Sequence, residues 1–114
     1  MPERYKLIIL PEAQQDIKDI VLYIAKDLAA PKAANRIREL LKNGIKSLSE
    51  MPDRASLVNR QPWRDMGVHR LRVKYYYIYY IISDTEHTVK ILAVIHVERD
   101  QKSRLEERGK DYWT

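Results

Sequence analysis

Three cations stand at alternate positions in the stretch HRLRVK: Arg70, Arg72 and Lys74, with Leu71 and Val73 between them. On a strand, side chains two apart share a face, so this spacing predicts a stripe of positive charge backed by two core residues. Such a stripe can hold phosphate oxygens, arginine through its planar fork and lysine as a point charge. Tyr75, Tyr76, Tyr77, Tyr79 and Tyr80 come directly after it, and tyrosine rings offer platforms on which unpaired bases can stack. Tyr76 is therefore a candidate contact, while two or three of the five rings are expected in the core, because the chain has no Phe. His69 borders the stripe and titrates near neutrality, which makes it an acid–base candidate. Further on, His96, Arg99 and Asp100 form a second group, with His96 between apolar neighbours and Arg99-Asp100 open to a local ion pair. Neither a Ser-His-Asp spacing, a glycine-rich phosphate loop nor a cluster of metal ligands can be found, so no metal and no cofactor is expected.

The formal net charge is +5 over 114 residues, and its location says more than its size. Residues 54–74 contain Arg54, Arg60, Arg64, Arg70, Arg72 and Lys74 against Asp65 alone, whereas the segments on either side are close to balance. A concentrated basic segment attracts a polyanion or an acidic protein. Arg64, next to Trp63, is included among the candidate contacts for that reason. The absence of cysteine excludes disulfides and thiolate metal sites. No run approaches the roughly 20 apolar residues of a membrane span, and the start lacks the long apolar centre of a secretory signal. A cytoplasmic protein with no membrane partner is expected.

The elements that must position these residues are readable in outline. Residues 4–10 read as a short first strand. Pro11 suits the first turn of a helix, and Ala13, Ile17, Ile20, Val21, Ile24 and Leu28 recur at helical spacing to about Ala29. Pro31 restarts a helix whose apolar face runs through Ala34, Ile37, Leu41, Ile45 and Leu48 until Pro52. The short gap between them requires a helical hairpin, about 11–50. Residues 52–68 break both periodicities and read as a loop, with an irregular strand edge. Strands are expected at 69–73, 76–83 and 89–97, so that the sheet falls at about 69–98, with a short charged helix after it to about Arg108 and Gly109 as its cap. The spacing predicts a single α+β domain over 1–114: an N-terminal strand, a helical hairpin, then a mostly antiparallel twisted sheet with a short C-terminal helix. The link at 73–76 has no Gly, Pro or Asn, and reads equally as a tight hairpin or one bent strand.

Three stretches in this order resemble the RelE/ParE superfamily, the toxins of bacterial type II toxin–antitoxin modules. LPEAQQDIKDIVLYIAKDLAAPKAANRI is similar to that family's helical hairpin, MGVHRLRVKYYYIYYIISD to its paired central strands, and ILAVIHVERDQKSRL to its last strand with His96, Arg99 and Asp100. The likeness spans about residues 5–105. It implies a toxin silenced by a cognate acidic antitoxin, and it implies one of two activities, since one fold hosts both. RelE-like members cut mRNA in the ribosomal A site without a metal; ParE-like members inhibit DNA gyrase.

The resemblance carries catalytic roles onto Arg70, Arg72 and Arg99 and a binding role onto Tyr112, while Arg64, His69, Lys74 and Tyr76 are candidate nucleic-acid or target contacts read from the residues themselves. Tyr112 stands for a C-terminal tyrosine, at a distance from Arg99 that fits the family poorly. Cleavage would use the RNA 2′-hydroxyl on the adjacent phosphate, with the protein aligning groups and stabilising charge. Two departures bear on it. Tyr77 stands where RNA-cleaving relatives have arginine, and arginines in place of strand lysines stay protonated, favouring charge stabilisation over proton transfer. The sequence reading adopted is a ribosome-dependent mRNA endoribonuclease (an mRNA interferase), with ribosome and mRNA as partners. The alternative is a non-enzymatic inhibitor of DNA gyrase, and a third reading has the basic patch only docking the antitoxin.

Overall fold

The computed structural model describes residues 4–109. Strand β1 (Lys6–Ile9) leads through Leu10, held extended ahead of proline, into helix α1 (Pro11–Leu22). The helix does not continue regularly to Ala29. It widens into a π-helical turn over Tyr23–Asp27, where the Leu28 N–H reaches back five residues to the Tyr23 carbonyl, and Ala29 then reverses the chain at φ 50°. The extra residue in that turn rotates the end of the helix, so Leu28, in phase with the apolar face by sequence, is left exposed. Helix α2 (Pro31–Glu50) completes the hairpin and stops before Pro52, as its sequence requires.

Strands β2 (His69–Val73), β3 (Tyr76–Ser83) and β4 (Thr88–His96) form an antiparallel meander, and β1 joins it parallel to β4, giving the order β1-β4-β3-β2. Val73 pairs with Tyr76, so the link at 73–76 is a tight hairpin. Lys74 supplies the left-handed residue of the turn, at φ 55°, where glycine or asparagine is the usual occupant. Between Tyr79 and Tyr80 the pairing with β4 slips by one residue, leaving Leu92 as the extra residue of a β-bulge. Helix α3 (Gln101–Gly109) closes the described chain.

Each face of the sheet has its own core. The helical hairpin covers one face through Ala13, Leu41, Ile45 and Leu48, packed on Leu71, Ile78, Tyr80 and Ile91. The opposite face is covered by Trp63 and Val68 of the loop and Leu105 of α3, packed on Tyr79, Leu92, Ala93 and Ile95. The loop is therefore structural: Trp63 is only 2% exposed, and Leu57 bridges to His69 along the free side of β2. At Gly44 the hairpin comes closest to the sheet, since a Cβ there would lie 2.8 Å from a Val73 methyl.

Candidate functional site

The period of two along β2 and β3 decides which side chains meet. Leu71 is buried toward the hairpin, so Arg70 and Arg72 project to the other face, beside Tyr77 and Tyr79 of β3. The Arg70 guanidinium lies over the Tyr77 ring, 4.1 Å from its centroid, and that of Arg72 at 5.9 Å, a cation–π arrangement. Arg72 also donates from Nε to the Lys74 carbonyl at 3.0 Å, which fixes its stem against the turn. These groups wall a hollow of about 880 Å³ between the sheet, the 54–63 loop and α3. Arg54, Arg60 and Lys102 join them there, with Asp100 as its carboxylate.

That carboxylate is held chiefly by its own helix, with Arg60 of the hollow adding the smallest share of its stabilisation. Asp100 precedes α3 and accepts from the Ser103 backbone N–H at 3.2 Å and the Ser103 hydroxyl at 2.8 Å. Those two bonds hold its pKa below the usual aspartate value, so it stays ionised as a helix cap rather than as a proton carrier. The local ion pair Arg99-Asp100 is thus replaced by a cap. Tyr79 donates to the Gln101 side-chain carbonyl at 2.7 Å; burial raises its pKa, and the neighbouring Arg70 works against that rise. The hollow is a cradle of fixed positive charge with one aromatic wall, suited to holding phosphate or carboxylate groups. Guanidinium groups give up no proton at physiological pH, so they can stabilise charge but not transfer a proton.

The other residues singled out from the sequence are dispersed. Lys74 leaves the stripe, because the chain has already begun to turn, and it lines a separate groove between the helical hairpin and the end of the sheet. Arg99 and Tyr76 line that groove as well. Tyr76 is buried on the hairpin side, with the His96 ring edge-on at 5.3 Å, and burial raises its pKa. His96 accepts the Glu98 N–H at Nδ1, so it is held among tyrosines as a packing residue. His69 donates from Nδ1 to the Ala55 carbonyl at 2.7 Å and stacks on Tyr80, facing a third hollow shared with Asp53 and Asp84. Arg64 is exposed and touches Asn59 at 3.3 Å. Tyr112 lies outside the described residues. Arg54, Arg60 and Lys102 are the cations lining the hollow that were not singled out as contacts from the sequence. The density of charge at 54–74 pointed to the first two, but nothing local marked Lys102, which the fold brings in from α3.

The family model for the ParE toxin of the type II toxin-antitoxin system, parDE, matches residues 7–101. The chain belongs to this family. It is a toxin of a type II toxin–antitoxin module within the RelE/ParE superfamily. Comparison with curated proteins gives no match. Among solved structures, the chromosomal ParDE system of P. aeruginosa superposes with a TM-score of 0.68 at 17% identity, over 83% of this chain and 98% of that one. The free E. coli RelE toxin, as a double mutant, gives 0.65 at 17% identity over 96% and 98%. The RelBE2 toxin–antitoxin complex of Mycobacterium tuberculosis gives 0.58 at 22% identity over 82% and 98%. At these identities the neighbours share the fold. Among the described residues, no helix is long and apolar enough to cross a membrane, and no group of carboxylates and imidazoles could hold a metal.

Proposed function

We propose that this toxin arrests growth by binding a protein target rather than by cutting RNA, and that the target is DNA gyrase, as for ParE-type toxins. The observation that carries this reading is the separation of the arginines. Arg70 and Arg72 line the hollow between the sheet, the 54–63 loop and α3, whereas Arg99 lines the separate groove that runs to the helical hairpin, which favours separate roles over one shared phosphate. Transition-state stabilisation needs its donors aimed at a single developing charge. The match to the ParE family model supports the same choice. An antitoxin encoded beside the toxin is the expected partner, since the ParDE and RelBE2 neighbours are toxin–antitoxin systems.

The RNA-cleaving reading keeps one specific support: the hollow gathers Arg54, Arg60, Arg70, Arg72 and Lys102 around Tyr77, a surface that suits a stacked, phosphate-bearing strand. Two assays separate the readings. Micromolar toxin should halt supercoiling by purified gyrase and leave the mRNA on programmed ribosomes uncut. Undisturbed gyrase together with new mRNA ends mapping to the A-site codon reverses the assignment. A ParE-type binder should also keep its growth arrest within a few-fold of wild type in the double variant Arg70→Ala/Arg72→Ala, whereas an RNA-cutting enzyme should lose it.

A further inference from the structure

The hollow between the sheet, the 54–63 loop and α3 concentrates charge that the fold does not use internally. Its lining carries Arg54, Arg60, Arg70, Arg72 and Lys102 against one carboxylate, Asp100, which is bound to Ser103 of its own helix. Among the described residues none of the four arginines makes a salt bridge. The Lys102 pair with Glu106, 3.9 Å long and more than half exposed at both ends, contributes little. Two of the arginines are nonetheless held in place. Arg54 donates to the Ser47 hydroxyl at 2.7 Å, and Arg72 donates from Nε to the Lys74 carbonyl, a bond that leaves its two terminal nitrogens available. Charges of one sign fixed around a concavity focus their field on whatever enters it.

The aromatic groups of the hollow decide which polyanion suits it. Single-stranded nucleic acid is held by stacking its bases on open rings. Here the Arg70 guanidinium covers a face of Tyr77 at 4.1 Å, with Arg72 at 5.9 Å, and the rings of Tyr79 and Trp63 are buried. These rings support the cations, and what the hollow presents outward is a set of phosphate donors. Duplex DNA keeps its bases stacked inside and offers a regular row of phosphates, one per roughly 3.4 Å of axis on each strand. A hollow of about 880 Å³ has room for the sugar–phosphate ridge of one strand and not for a whole duplex, so about two or three phosphates are within its reach.

We propose that the hollow contacts the backbone of duplex DNA, through one strand and without reading sequence. The setting of this contact rests on the gyrase reading: gyrase holds duplex DNA as its substrate, so a toxin docked on it lies beside that backbone. The contact adds a few-fold to the toxin's hold on the DNA-loaded enzyme while the protein–protein contact carries the arrest, in keeping with arrest that survives Arg70→Ala/Arg72→Ala.

Fluorescence anisotropy of a short labelled duplex, titrated with the full-length toxin over a series of KCl concentrations, tests the contact without gyrase. The logarithm of the binding constant should fall with that of the salt concentration at a slope of about −2 to −3, and a duplex of unrelated sequence should bind alike. Arg70→Ala/Arg72→Ala should bring that slope about 1 to 2 closer to zero. The charge-matched variant Lys42→Ala/Lys46→Ala, at exposed positions of α2 away from the hollow, should keep the wild-type slope. An equal loss in both variants means that net charge alone attracts the DNA, and overturns the proposal. So does the absence of binding at the lowest salt, or tighter binding of a single-stranded RNA of the same length through the same two arginines, which gives the hollow to RNA. Failure of the contact and failure of the gyrase reading are separable: undisturbed supercoiling leaves a measured duplex contact standing, and an absent duplex contact leaves measured gyrase inhibition standing.

Discussion

Arg108 bridges Asp16, Leu92 and the last turn of α3, and all of these groups are mostly shielded from water. Arg108→Ala would leave a partly buried carboxylate and a strand carbonyl without their donor, a loss of about 2 kcal/mol in urea unfolding. Asp100 is a pH-dependent counterpart. Its carboxylate is stabilised in the folded chain by Ser103, so its folded pKa lies below the ordinary 3.8. The cap therefore contributes fully above that ordinary value and is lost as pH falls through the lowered one. Amide exchange in α3 should accelerate over that acid range, and Asp100→Asn, which still caps but does not titrate, should remove the dependence. At this scale the sequence was legible where period two applied. Arg70 and Arg72 share a face as the alternation required, and three of the five tyrosines, Tyr76, Tyr79 and Tyr80, are core. Lys74 departs because alternation ends where the chain turns, and that turn carries no glycine to announce it.

Helix α2 meets the sheet at Gly44, and the absent side chain sets how near it comes. Alanine there would gain up to about 1 kcal/mol of helix propensity but meets Val73 at a distance that requires the strand to shift, an overpacking cost of about 1–3 kcal/mol. Gly44→Ala should therefore destabilise the protein by about 1 kcal/mol in equilibrium unfolding. In a Val73→Ala background the same change should be neutral or stabilising. The helices and three main strands were readable from periodicity and proline placement, because those signals are local. Two features were not local. The β1–β4 parallel pairing joins residues some eighty positions apart, and the π-helical turn arises from how the hairpin packs rather than from a residue type. The loop at 52–68 looked unstructured in pattern, yet Trp63 holds it to the sheet, an anchor that only tertiary packing reveals.

Across the whole molecule, the excess charge of the sequence becomes a placed object. Arg54, Arg60, Arg70 and Arg72 come together at one hollow because the 54–63 loop folds back along β2, and α3 adds Lys102 from a stretch with no net basic excess. The basic segment was visible in the sequence; its focus into a concavity was not, nor was the placement of Arg99 in a separate groove, since which way the chain leaves β4 is decided by α3. Like charges gathered at one hollow repel one another, so a bound polyanion should relieve that repulsion and stabilise the fold. Inorganic tripolyphosphate at constant ionic strength should raise the melting temperature of the wild-type toxin above its value in chloride. Kosmotropic exclusion would raise every variant alike. Site binding instead predicts that Arg70→Ala/Arg72→Ala loses most of the rise while Arg64→Ala, outside the hollow, keeps it. An equal rise in all three proteins would mean that the cradle holds no anion and that these arginines serve only to keep that face of the sheet in water.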